Sequence, residues 1–173
     1  MIVIITGASH TGKTLLAQKM LEKYKYPYLS IDHLKMGLIR SGNTDLAPED
    51  DEALTKYLWP IVREMIKTAI ENKQNLIVEG GYVPFDWRSD FSEKYLRSIH
   101  FICLAMTDKY IDDHFDEIKK YSNAIECRLY GESFSIDELK VANRAYIEGC
   151  EKYGEHVTLI EKDYKQTINV LLD

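Results

Sequence analysis

The stretch Gly7-Ala8-Ser9-His10-Thr11-Gly12-Lys13-Thr14 decides how this chain is read, because it matches the pattern G-x-x-x-x-G-K-[ST] at every defined position. It follows Ile2 to Thr6, a β-branched run without polar alternation, as expected of a strand covered on both faces. It leads into Thr14 to Tyr24, whose pattern predicts a crossover helix. A strand, a glycine loop and a helix in that order make a cradle for phosphate. The glycines let the backbone wrap the anion, and successive N–H groups and the helix N-terminus point at it. Lys13 is expected to reach the β- and γ-phosphates of a nucleotide, and Thr14 to offer its hydroxyl to Mg²⁺. His10 and Thr11, at variable positions, are expected to add mainly backbone N–H groups, completing a nucleotide-binding set with Ala8 and Ser9.

Outward from this loop, strand-like runs alternate with longer helical patterns, which means a parallel α/β sheet wrapped by helices. Further strands are expected at Tyr28 to Ile31, Leu76 to Glu79, Ile99 to Ala105 and Val157 to Ile160. Helices are expected over His33 to Arg40, over Pro48 to Asn72 with Pro60 kinking or restarting it, over about Ser135 to Tyr153, and after Asp163. No internal repeat or low-complexity linker interrupts the pattern, so all 173 residues read as one domain.

Composition narrows the function. The chain is 45% hydrophobic and 29% charged, with a formal net charge of -6, which argues against a protein whose task is to neutralise a nucleic-acid backbone. Any anionic ligand must then be held by a local concentration of cations. Cys103, Cys127 and Cys150 are odd in number and share no C-x-x-C spacing, so neither a disulfide framework nor a zinc site is suggested. With no apolar run of membrane-spanning length and no basic leader, a reducing cytoplasm is the expected compartment. His33, His100, His114 and His156 form no triad or metal spacing and carry no claim.

The carboxyl ends of parallel strands are where ligands gather. Asp32 stands at the end of the second strand, where its carboxylate could take a proton from an acceptor hydroxyl or help hold Mg²⁺; the alternative is a helix cap ahead of His33. Tyr57, Trp59 and Arg63 could wall an acceptor pocket, although Arg63 to Lys67 could equally be a solvated helix face. A water-excluding lid is expected after the fourth strand, from about Asp108 to Glu132, over a segment that is unusually acidic at Asp112, Asp113, Asp116 and Glu117. Arg128 is the candidate closing cation, with Arg144 next, and an ordinary salt bridge is the alternative for each.

The glycine loop, a short strand ending in Asp32 and an apolar helix ending in Arg40 together resemble the small P-loop kinases. That group includes nucleoside monophosphate kinases, shikimate and gluconate kinases, chloramphenicol phosphotransferase and zeta-toxin kinases. The resemblance implies a three-layer fold around a five-stranded parallel sheet of order 2-3-1-4-5. It implies ATP and Mg²⁺ as cofactors, a base or metal role for Asp32 and a grip on the acceptor for Arg40. Helices over 33–74 would bind the acceptor, and adenine would lie near Glu161 to Tyr164. Glu79 occupies the Walker B place where many relatives carry Asp, and could hold Mg²⁺ through water; the alternative is an acid bonded to local backbone. Gly80-Gly81 resembles the glycine turn beneath the acceptor in shikimate-kinase-like enzymes.

The expected activity is transfer of the γ-phosphoryl group of ATP to a small-molecule acceptor by a monomer or homodimer. Nucleoside monophosphates and nucleotide sugars remain open as acceptors. A nucleotide-binding regulator is the alternative of another class; the lack of an N-K-x-D signal speaks against guanine.

Overall fold

The computed structural model describes residues 1–121 and 134–172. Chain order is β1 (Ile2–Gly7), α1 (Lys13–Tyr24), β2 (Tyr28–Ser30), α2 (Ile31–Arg40), α3 (Asp51–Glu71) and β3 (Leu76–Glu79). A 3₁₀ turn at Trp87–Asp90 and the short α4 (Glu93–Leu96) lead to β4 (Ile99–Met106), α5 (Asp108–Tyr121), α6 (Ile136–Lys152), β5 (Val157–Ile160) and α7 (Tyr164–Val170). The strands form a five-stranded sheet of order β2-β3-β1-β4-β5, every pairing parallel.

The central place of β1 follows from its sequence. Ile2 and Ile4 face one apolar cluster with Leu58, Val62 and Ile66 of α3, while Val3 and Ile5 face a second with Leu16, Ala17 and Met20 of α1. Alternate side chains point to opposite faces, so a strand covered on both must be apolar throughout. Full burial of each such side chain contributes about 1.5–3 kcal/mol before entropy is counted.

Two expectations change. Pro60 neither kinks α3 into two elements nor starts a new one; a single helix runs through it. Its ring sits on the exposed face, where water can take the Lys56 carbonyl that loses an N–H partner, while Leu54, Leu58, Val62 and Ile66 hold the buried stripe together across it. Nor is Asp32 the cap of α2. Ser30 is, its hydroxyl accepting from the His33 N–H at 3.3 Å, and Asp32 lies inside the first turn. The 3₁₀ turn and α4 carry no periodic signal of their own; buried Trp87 and Phe91 tie them to the α3 face of the sheet.

The expected lid region begins as α5, fourteen residues with a non-helical backbone at His114, packed beside α6. Among the described residues, no helix is long and apolar enough to cross a membrane.

Candidate functional site

The glycine loop emerges from β1 and is seated by backbone. The Ala8 N–H donates to the Leu104 carbonyl at 3.2 Å, and Gly7, at φ 140°, lies so close to Leu104 that a Cβ would collide with its carbonyl oxygen. Gly12, at φ 79°, lies against the Tyr164 ring, whose hydroxyl donates to the Gly12 carbonyl at 3.3 Å. Both positions therefore need glycine. Thr11 is fully buried and donates to the Ala8 carbonyl at 2.8 Å, as does the Lys13 ammonium, also at 2.8 Å.

Helix α1 starts at Lys13 with no side-chain cap and no acid in its first turn, whereas α2, α3, α6 and α7 are each capped by a side chain. With no side-chain cap, this helix N-terminus is open to an external acceptor, and the helix dipole favours an anion there. Next to them the Thr14 hydroxyl donates to Glu79 Oε1 at 3.3 Å. Glu79 is 2% exposed and meets Thr14 because β1 and β3 are neighbours, with Ile5 paired to Glu79. Asp32 lies one strand further out, half-exposed, with its carboxylate 3.3 Å from the Lys35 ammonium.

Lys13, Thr14, Asp32 and Glu79 line one cleft of about 860 Å³, which continues past His10 and Gly12 to Lys19, Tyr110, His114, Tyr121, Lys162, Tyr164 and Lys165. The far half of the cleft is cationic and aromatic. His10, at φ 64°, stacks on Phe134 at 4.1 Å, and His114 stacks on Tyr110 at 4.2 Å. Burial pushes the Tyr164 phenol up to about 12, and the neighbouring Tyr110 adds to the effect. Glu161 to Tyr164, where adenine was expected, supplies Lys162, Asp163 and Tyr164 to this cleft.

Beyond Asp32 a chain of side chains crosses to α3. The Lys35 ammonium donates to the Tyr82 hydroxyl at 2.6 Å, and that hydroxyl donates to Asp51 Oδ1 at 3.2 Å. Burial, followed by the nearby Asp32 and Asp51 carboxylates, pushes the Tyr82 phenol well above its ordinary range. Gly80, at φ 158°, lies under Ile31, and Gly81 offers its carbonyl to the Tyr146 hydroxyl at 2.9 Å. Burial likewise raises the Tyr146 phenol, against a hydrogen bond with Thr6. Sequence reasoning passed over Lys35, Tyr82, Asp51 and Tyr146, whose only local sign was proximity to Asp32 or Gly81, and over the aromatic wall of α5.

Other expected residues lie elsewhere. Arg40 is exposed at the far end of α2, about 12 Å from Asp32 at 1.5 Å per residue. Arg63 donates to Glu64 at 2.8 Å and to Asp90 at 3.2 Å, and lines a separate groove beside Pro60 and Leu76. Trp59, one turn earlier, donates to the same Asp90 at 2.7 Å and belongs to the core. Tyr57 donates to the Asn43 carbonyl at 3.1 Å. Arg144 is exposed and forks onto Asp108 at the head of α5. Arg128 lies outside the described residues. The thiols of Cys103 and Cys150, distant in sequence, are buried against each other; hydrogen bonding between them raises Cys103 and lowers Cys150.

Among the described residues, no group of three His, Cys, Asp or Glu side chains could hold a metal on its own. The Thr14 hydroxyl with the Glu79 and Asp32 carboxylates is a set of hard oxygen donors. It suits Mg²⁺ sharing its shell with phosphate and water rather than a metal in an all-protein cage.

Solved structures share this fold along nearly the whole chain. A gluconokinase from Sinorhizobium meliloti 1021 superposes with TM-score 0.55 and 14% identity over 98% of this chain and 88% of its own. A sugar kinase from Janibacter sp. HTCC2649 gives 0.56 and 15% over 99% and 91%. Shikimate kinase from Aquifex aeolicus vf5 gives 0.53 and 15% over 99% and 94%. The chain thus has the architecture of the P-loop small-molecule kinases, with the implied strand order. No protein-family model and no curated protein matches its sequence.

Proposed function

We propose that this chain is an ATP-dependent phosphotransferase that moves the γ-phosphoryl group of ATP to a hydroxyl of a small molecule. The observation that carries this reading is the meeting of Thr14 with Glu79 at 3.3 Å, in the cleft that Lys13 and Asp32 also line. Cation, hydroxyl and two carboxylates converge beside an uncapped helix N-terminus.

The uncapped N–H groups of α1 and the loop bind the phosphates, and the cationic, aromatic half of the cleft takes the nucleoside. Lys13 leaves the Ala8 carbonyl and spreads positive charge over the phosphates. Thr14, Glu79 and Asp32 would hold Mg²⁺, which when bound neutralises phosphate charge. Asp32 orients the acceptor hydroxyl and takes its proton as the acceptor oxygen bonds to the γ-phosphorus. The bond from that phosphorus to the β–γ bridging oxygen breaks, and ADP leaves with the electron pair. Of the expected arginines, Arg128 remains the proposed closing cation. Arg40, Arg63 and Arg144 lose weight, because Arg40 stands far from Asp32 and the other two are paired with carboxylates away from the cleft.

The test is Mg²⁺-dependent ATP consumption by the purified chain against sugars, hydroxy acids, nucleoside monophosphates and antibiotics, with Asp32→Asn alongside. An acceptor that drives ADP release in the parent, and about a hundredfold or more slower in the variant, supports the reading. Tight ATP binding without acceptor-dependent turnover overturns it in favour of a nucleotide-binding regulator.

A further inference from the structure

The cleft of Lys13 carries Lys13, Lys19, Lys162 and Lys165 among its carboxylates, and at its Asp32 edge it gives way to residues with fewer cations. Around Gly80 and Gly81 stand Asp32, Asp51, Tyr82, Tyr146 and, as the one cation there among the described residues, Lys35. That cation is already committed, to the Asp32 carboxylate at 3.3 Å and the Tyr82 hydroxyl at 2.6 Å, and its side chain is only 12% exposed. The Tyr82 hydroxyl in turn donates to Asp51, a neutral donor that leaves the Asp51 charge uncompensated. Among the described residues, the nearby arginines are already paired: Arg63 is held by Asp90 and Glu64, Arg88 by Glu155 and Arg144 by Asp108. Arg40, exposed, stands at the far end of α2.

A carboxylate or phosphate on the acceptor would have to displace Lys35 from Asp32, or sit beside Asp32 and Asp51 without a counter-charge. Like charges at such short range repel. Hydroxyl groups face no such obstacle. The Asp51 and Asp32 oxygens accept from them, and the Tyr146 hydroxyl beside the Gly81 carbonyl forms a polar edge. Resting on the phosphotransferase reading above, we infer that the acceptor is a hydroxyl-bearing small molecule with no carboxylate or phosphate group, either a neutral polyol or one carrying an amine. This sets the chain apart from what the names of its fold neighbours, gluconokinase and shikimate kinase, would suggest.

The experiment uses the intact chain and acceptor panels that differ only in charge on a common skeleton: a polyol, its amino analogue, its acid and its phosphate ester. Mg²⁺-dependent ADP release is read for each. Turnover of the neutral or amino member with kcat/KM at least tenfold above the acid and the ester is expected. Turnover of the acid or the ester at an equal or higher kcat/KM overturns the inference and leaves the phosphotransferase standing. ATP binding with no turnover in any charge class removes the phosphotransferase and the inference with it. Asp51→Asn, which keeps an oxygen for Tyr82, separates the two remaining sources. An amine-bearing acceptor loses at least fivefold in kcat/KM through KM, a neutral polyol loses less than that, and the KM for ATP stays within twofold. A gain for the acid relative to the other two in this variant also supports the charge argument, whereas a uniform loss in kcat for all three overturns it as a structural effect.

Discussion

Around Lys13 the cleft is built on one contiguous octapeptide whose carbonyls and N–H groups are tied down by hydrogen bonds, whereas around Asp32 it is a set of side chains gathered from α2, α3 and the turn after β3. In the first region the candidate ligand groups, loop N–H, Lys13 and Thr14, are neighbours in sequence, and Gly7 and Gly12 stand where a side chain would collide. In the second, Lys35, Tyr82 and Asp51 are joined across 47 and 31 residues of chain. A phosphate cradle can be written locally because phosphate is the same in every nucleotide. An acceptor pocket has to match one molecule, and is assembled from whatever the fold brings near.

The widest separation between the regions is expected at Lys13. Lys13→Ala should lower turnover by about a thousandfold or more, as loss of a group that stabilises transition-state charge does, with an unchanged thermal denaturation midpoint. Retained activity would break the comparison at its root.

Glu79 joins the regions, since it meets Thr14 from the neighbouring strand. Glu79→Gln keeps an oxygen for the Thr14 hydroxyl and removes the charge, so the Mg²⁺ concentration for half-maximal activity should rise by about ten- to a hundredfold. An unchanged Mg²⁺ titration would return Glu79 to a purely structural role.

Two glycines with similar backbones sharpen the point. Gly12 has φ 79° and Gly42 φ 72°, but a Cβ at Gly12 would strike the Tyr164 ring and one at Gly42 would meet nothing within 4 Å. Gly42→Ala should cost about 1–2 kcal/mol in urea denaturation, the left-handed penalty alone, and leave ATP binding untouched. Gly12→Ala should cost more and abolish ATP binding in a nucleotide titration. Equal effects would mean that the Tyr164 contact is not part of the cradle.

The smallest effect is one of pH. The Tyr164 phenol titrates at about 12 in the folded chain against an ordinary value of 10, so folding favours its protonated form. The stability this confers is complete below pH 10 and is lost as pH rises from 10 through about 12. Tyr164→Phe should therefore lose less stability than the parent across that window in parallel denaturation series. Parallel curves would show that the ring is more open to water than its packing implies.

The sheet was largely legible: expected strand ends at Tyr28, Leu76, Glu79, Ile99, Val157 and Ile160 coincide with observed ones. Apolar runs of strand length between helical periods leave little choice of element. The site was legible only where it is contiguous. Arg63 looked like a ligand because an arginine beside aromatics fits a pocket wall, but Trp59 and Arg63 lie one turn apart and share Asp90, 27 residues beyond Arg63. Tyr82 gave no signal, since a tyrosine after two glycines is equally at home in a core or at a surface.

By itself, then, the sequence determined that a strand, a glycine loop and a helix stand at the start of the fold, and that parallel strands alternating with helices follow. Both are set by short-range steric and periodic rules. The tertiary structure alone decided that Thr14 meets Glu79, that Ser30 rather than Asp32 caps α2, and that Lys35, Tyr82 and Asp51 form one chain beside Asp32. Those contacts depend on strand register and on the rotation of helices about their axes, which burial of the whole core fixes and no local stretch encodes.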